Sequence, residues 1–166
     1  MSHTVTITRT TVSTSGTSVF VNTGYLCTLP GVLKLAQLVL GACCVGVVGY
    51  YLDHNRGYYH DEKPELFFLL VAVSFLIGTF CLLLSCVLSL STSSMISKTN
   101  YELIYHGLAF ILYLCAGLTL LIEVNHEKSS YRNEYDPYLA AAVMGLVLSG
   151  LYLISTFLAN RHYRGI

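Results

Sequence analysis

"PGVLKLAQLVLGACCVGVVGYY", residues 30–51, is the stretch on which the fold turns. As an α-helix it is long enough to cross the roughly 30 Å of hydrocarbon in a bilayer. Yet Lys34 and Gln37 lie within its first two turns, and no other charge follows until Asp53. A lysine at the bilayer centre costs roughly 2.5–3.5 kcal/mol, and less near the interface. The segment therefore works as a span if Lys34 lies close to the headgroups or meets a partner inside the protein.

The rest of the chain repeats the pattern. Of its 166 residues, 54% are hydrophobic and 11% charged, where soluble domains carry about 25% charged residues. The charges are clustered, so that Leu35 to Leu52, Leu66 to Ser97, Leu103 to Ile122 and Pro137 to Asn160 carry none. Each stretch is long enough to span. The chain is predicted to be all-α, an integral membrane four-helix bundle with helices at about 31–51, 66–90, 102–123 and 138–159 within a domain of residues 25–160. A soluble bundle would need a polar face on every helix, and these segments have none. Residues 1–24 read as a disordered Ser/Thr-rich tail, with Thr10, Thr11 and Ser13 as weak phosphorylation candidates. Residues 161–166 read as a short basic tail. No basic region leads directly into the first apolar run, so that run is expected to be an uncleaved anchor.

Four spans place both ends of the chain on one side. With that side cytoplasmic, the inner basic set is Arg9, Lys34, Lys98, Arg161 and Arg164, and the outer set is Arg56, Lys63, Lys128 and Arg132. That small excess agrees with the positive-inside rule. Tyr50, Tyr51, Tyr131, Tyr135 and Tyr138 then form an outer interfacial belt, and Tyr25, Tyr101, Tyr105 and Tyr163 an inner one. Tyr113 and Tyr152 fall mid-span, so their hydroxyls require partners within the bundle.

None of the six cysteines lies in the two outer loops. An extracellular disulfide framework is excluded, which argues against tetraspanins, claudins and connexins. Cys27, just before the first span, is a candidate for S-palmitoylation. Both outer loops are too short to hold a core, which excludes a large receptor or adhesive ectodomain.

Helical spacing assigns one small or polar stripe to each span. Span one carries Lys34, Gln37, Gly41, Cys44, Val48 and Tyr51. Span two carries Ser74, Gly78, Cys81 and Ser85. Span three carries Glu102, His106, Ala109, Tyr113 and Gly117, and span four Ala141, Gly145, Ser149, Tyr152 and Thr156. Lipid tails are as apolar as leucine, so close backbone approach and interhelical hydrogen bonds hold such helices together. The stripes, with Gly41, Ser74, Gly78, Gly117, Ala141, Gly145 and Ser149 as packing positions, are expected to face one another. Lys34 and Glu102 fall at similar depth. Two readings of Lys34 stand: it snorkels to headgroup water, or it joins Gln37, Glu102 and His106 in a polar cluster pinning span one to span three.

The run above, with "IYHGLAFILYLCAGLTLLIE" in span three and "AAAVMGLVLSGLYLISTFLA" in span four, resembles the MARVEL domain, the four-helix module of MAL, physin and chemokine-like-factor proteins. The resemblance covers about residues 25–166. It implies an M-shaped topology with both termini cytoplasmic, in the plasma membrane or in secretory and endocytic vesicles. It also implies roles in vesicle trafficking, membrane apposition, cell junction assembly or cell fusion, such as myoblast fusion. The partners it implies are membrane lipids, including cholesterol-rich membrane, and other membrane proteins or further copies of the chain, with no nucleic acid.

No Gly-rich phosphate loop, Ser-His-Asp arrangement or H-E-x-x-H occurs, so no catalytic residue and no cofactor are assigned. His54 and His60 lie beside Asp53, Asp61 and Glu62, but a flexible loop converges ligands poorly, and no metal site is assigned. The expected function is that of a non-enzymatic membrane organiser. The alternative is a small transporter, channel or accessory subunit using Lys34, Glu102 and His106. An ion path normally needs ionisable groups continuing across the membrane, and span three has none between His106 and Glu123.

Overall fold

The computed structural model describes residues 23–54, 63–88, 100–126 and 135–164. A one-turn helix, α1 (Thr23–Leu26), precedes four long helices: α2 (Leu29–His54), α3 (Lys63–Leu88), α4 (Asn100–His126) and α5 (Tyr135–Tyr163). All four are long and apolar enough to cross a bilayer. Each outruns the uncharged stretch at one end or both, because charged and aromatic residues continue a helix into the headgroup layer. At the far end Arg161, His162 and Tyr163 prolong α5, so the first three residues of the expected basic tail are helical. Residues 1–22, including Thr10, Thr11 and Ser13, and the loop residues His60, Asp61 and Glu62 lie outside the described residues.

The start of α2 is locally encoded. Thr28 Oγ1 accepts from the Gly31 amide at 3.4 Å, as an N-cap hydroxyl does. Pro30 falls in the first turn, where its missing N–H leaves no bond unmade. Thr28 Oγ1 also donates to the Tyr25 carbonyl at 2.6 Å, closing α1. That carbonyl lies 2.1 Å from where a Cβ on Gly31 would stand. Only glycine lets α1 fold back against α2 here.

The helices form a ring in which α2 packs on α3, α3 on α4, α4 on α5 and α5 on α2, with the α4–α5 pair the most extensive. α2 and α4 are therefore diagonal partners. Leu35, Val39, Leu70, Ile77, Ile104, Ile111, Val147 and Phe157 point outward. The interior holds Cys44, Phe68, Ala72, Phe75, Ala109, Tyr113, Ala116, Leu120, Ala141, Leu148 and Tyr152. An apolar exterior around a core of small, aromatic and polar side chains is the arrangement lipid permits and water does not.

Three of the predicted stripes face the core: Gly41 on α2, Gly117 on α4, and Ala141, Gly145 and Ser149 on α5 are all buried. The stripe assigned to α3 is corrected. Ser74 and Cys81 are exposed and Ser85 is half-buried; of the four, Gly78 is the packing position, its Cβ site 2.6 Å from the Tyr105 hydroxyl on α4. The face of α3 that enters the core carries Phe68, Ala72, Phe75, Thr79, Leu82 and Cys86. The reason is local: Ser74 Oγ donates to the Leu70 carbonyl at 2.7 Å and Ser85 Oγ to the Cys81 carbonyl at 2.8 Å. A serine bonded to its own helix at i−4 needs no interhelical partner, so it does not orient the helix. Aromatic volume does, because Phe68 fills the space left by Gly145, where an added Cβ would lie 2.5 Å from Cε2 of Phe68.

Candidate functional site

The polar residues gather at the end of the bundle where α2 begins and α5 ends. Lys34 lies in the second turn of α2, whose first turn contains no acidic residue. The positive end of that helix dipole disfavours an ammonium there, so Lys34 depends on a counter-charge. Glu102 supplies it from the first turn of α4, where the dipole favours a carboxylate. Lys34 Nζ donates to Glu102 Oε1 and, at 3.0 Å, to the hydroxyl of Tyr25. Lys34 is only 2% exposed; it is directed into the bundle, not toward headgroup water. Burial pushes the Tyr25 phenol up to about 12, against the opposing pull of Lys34. Tyr25 thus meets the ammonium as a neutral acceptor.

His106 stands one turn beyond Glu102, with Nε2 3.6 Å from Oε1. Gln37 does not join this group. Its Nε2 donates to Ser155 Oγ at 2.8 Å, which ties α2 to its neighbour α5. Of the four residues expected to cluster, three stand together and the fourth anchors a different helix pair. Ser155 carried no sequence signal, since a lone mid-helix serine is ordinarily self-bonded.

These side chains surround a cavity of about 280 Å³. Lys34, Glu102, His106, Ser155 and His162 supply its polar lining. Cys86, Leu158 and Ala159 supply apolar wall, and Tyr25, Thr28 and Pro30 close in from the α1–α2 junction. All four spans contribute.

A second polar group lies deeper. Thr79 Oγ1 is 2.7 Å from the Tyr152 hydroxyl and 3.0 Å from that of Tyr105. Tyr105 donates its one proton to the Phe75 carbonyl at 3.1 Å, so it must accept from Thr79. Thr79 in turn accepts from Tyr152. The relay Tyr152 to Thr79 to Tyr105 to Phe75 joins α5, α3 and α4. Its rings form a continuous pack: Tyr113 stacks on Tyr152 at 5.5 Å, Phe75 lies 5.9 Å from Tyr113, and His106 lies 5.8 Å from Tyr152. Tyr152 therefore has the partner its depth required. Thr79 was missed because a single threonine inside an apolar run gives no periodic signal.

Cys27 is exposed beside α1, and Cys43, Cys81 and Cys115 are exposed on the spans. Among the described residues no group of three metal-ligating side chains converges.

Four apolar helices closed into a ring around small, aromatic and hydrogen-bonded side chains define a multi-pass integral membrane protein. The family model for the MARVEL membrane-associating domain matches residues 25–158. The chain belongs to the MARVEL family. It is similar to the human CKLF-like MARVEL transmembrane domain-containing protein 8, with 26% identity over 160 residues covering 94% of this chain and 88% of that protein. No solved structure matches.

Proposed function

We propose that this protein is a non-enzymatic membrane organiser with cytoplasmic termini, acting in vesicle trafficking, membrane apposition, junction assembly or cell fusion by lateral packing with lipid and protein. One observation carries this reading: the ionisable cluster ends within the half of the bundle where α2 begins and α5 ends. Beyond Tyr113 the interior is closed by Val48, Phe68, Ala116, Leu120, Val124 and Ala142. A side-chain path for protons or ions would need ionisable groups continuing through that half; Glu65 is buried at its far end, in the first turn of α3, and the apolar layer of these residues separates it from His106. The long apolar exterior supports contact with lipid and with other spans, where small residues and van der Waals packing decide association.

The test is reconstitution into liposomes with proton and potassium reporters. No flux above that of empty vesicles is expected. A flux abolished by Glu102→Gln would overturn the reading in favour of a transporter or channel. Tagged localisation with proximity labelling would then identify the membrane and its neighbours. Labelling confined to soluble metabolic enzymes would count against an organiser.

A further inference from the structure

We propose that the cavity where α2 begins and α5 ends binds an uncharged lipid alcohol with a carbonyl a few bonds from its hydroxyl, the headgroup chemistry of diacylglycerol. Charge excludes the commoner headgroups. The buried charges of the lining are Lys34 and Glu102, which neutralise each other. His162 stands at the exposed rim, where Nδ1 donates to the Leu158 carbonyl at 2.8 Å, and its solvated ring adds no buried charge. The Nδ1 of His106 is sealed into the wall and meets no ligand. A phosphate or an ammonium would therefore enter with no counter-charge to offset its burial.

Two polar groups of the lining have hydrogen-bonding capacity left. Glu102 is 7% exposed. Its Oε1 holds Lys34. Its Oε2 accepts no hydrogen bond among the described residues, and it is not among the enclosed atoms, so it opens onto the cavity that Glu102 lines. A carboxylate oxygen there calls for a donor. Ser155, also 7% exposed, accepts from Gln37 Nε2 at 2.8 Å, and its own proton reaches no acceptor among the described residues. A ligand hydroxyl donates to Glu102 Oε2, and a ligand carbonyl accepts from the Ser155 hydroxyl.

Depth and shape select a lipid with a flexible headgroup. Pro30, Leu158 and Ala159 give the cavity an apolar wall at the level where α2 begins and α5 ends. Inward it stops at His106, which packs on Tyr152, and Tyr152 stacks on Tyr113. The apolar part of the ligand must turn back past that wall to reach the membrane. A glycerol turns about single bonds, and the fused rings of a sterol do not.

The test places the full chain in phosphatidylcholine nanodiscs containing equal amounts of dioleoylglycerol and its acetate ester, which lacks the hydroxyl. The protein is then purified in detergent and the retained lipid quantified by mass spectrometry. About tenfold more dioleoylglycerol than acetate is expected, the discrimination that one hydrogen bond to a charged group supplies. Equal retention would overturn the proposal and leave water as the occupant, a result that needs no variant. Ala159→Leu, which narrows the cavity and leaves every polar group in place, should abolish the preference while helicity and elution volume stay unchanged. A preference that survives in folded Ala159→Leu protein would also overturn the proposal. Ceramide and cholesterol are the competing arms, and neither should displace dioleoylglycerol at equal mole fraction. Displacement by ceramide would keep the chemistry and overturn diacylglycerol as its source; displacement by cholesterol would overturn the argument from shape. The outcome is independent of the organiser reading, which flux and labelling test.

Discussion

Lys34 and Glu102 meet across the diagonal of the bundle, joining two helices, α2 and α4, whose backbones are not neighbours in the ring. The side chains themselves span the core, so the pair acts as a strut that sets how far apart the diagonal helices stand. Removing one partner leaves the other charge buried, a change that costs about 3–5 kcal/mol in comparable pairs. Lys34→Met and Glu102→Gln should each lower the unfolding midpoint in detergent, and the double variant should recover much of the loss. Strict additivity in that cycle would show that the two groups act independently.

Gly145 and Phe68 form a knob and hole between α5 and α3. An alanine methyl at position 145 would lie 2.5 Å from Cε2 and 2.9 Å from Cζ of Phe68. Overpacking of this kind costs about 1–3 kcal/mol. Gly145→Ala should destabilise the protein, and Phe68→Leu should rescue it in combination. A methyl added at Gly150 would meet nothing within 4 Å, so Gly150→Ala should be neutral or stabilising by up to about 1 kcal/mol through helix propensity. Equal behaviour of the two glycine variants in thermal melts would refute this packing.

Thr79 and Ser74 are both hydroxyls on α3, but only Thr79 bonds between helices. Thr79→Val keeps the shape and strands the Tyr152 hydroxyl. A loss of about 1 kcal/mol is expected, within the range measured for interhelical bonds in membranes. Tyr152→Phe added to Thr79→Val should recover part of it. Ser74→Ala should leave stability unchanged. Guanidinium or SDS titration of the four proteins checks both halves of the comparison.

Gly31 lets α1 dock. With the Tyr25 carbonyl 2.1 Å from its Cβ position, Gly31→Ala should push α1 away from α2 and separate the Tyr25 hydroxyl from Lys34. Because Cys27 is already exposed, the reporter is a cysteine at half-buried Leu26 (Leu26→Cys with Cys27→Ser), whose maleimide labelling should be faster with Gly31→Ala than without it. An unchanged rate would mean that α1 docks without the close approach.

Much of this architecture was legible in the residues. Span number and approximate position followed from uncharged length, because a bilayer has a fixed thickness and charges mark its edges. The core-facing stripes of α2, α4 and α5 followed from helical spacing, because glycine, alanine and buried polar groups there have few other uses. On α3 only Gly78, closed over by Tyr105, followed; Ser74, Cys81 and Ser85 did not. Serine satisfies itself against its own backbone, so its place in the sequence says little about which way the helix turns, whereas Phe68 and Phe75 must find volume that only the opposing helices define.

The sequence by itself determined that four helices lie in lipid and that Lys34 required an answer. Which group answers it was decided by tertiary structure. Helical periodicity orders side chains around one axis and carries no information about the angle between axes. That angle, set by how Phe68 seats on Gly145 and Tyr113 on Tyr152, brings Lys34 to Glu102, turns Gln37 toward Ser155 and leaves the cavity between them.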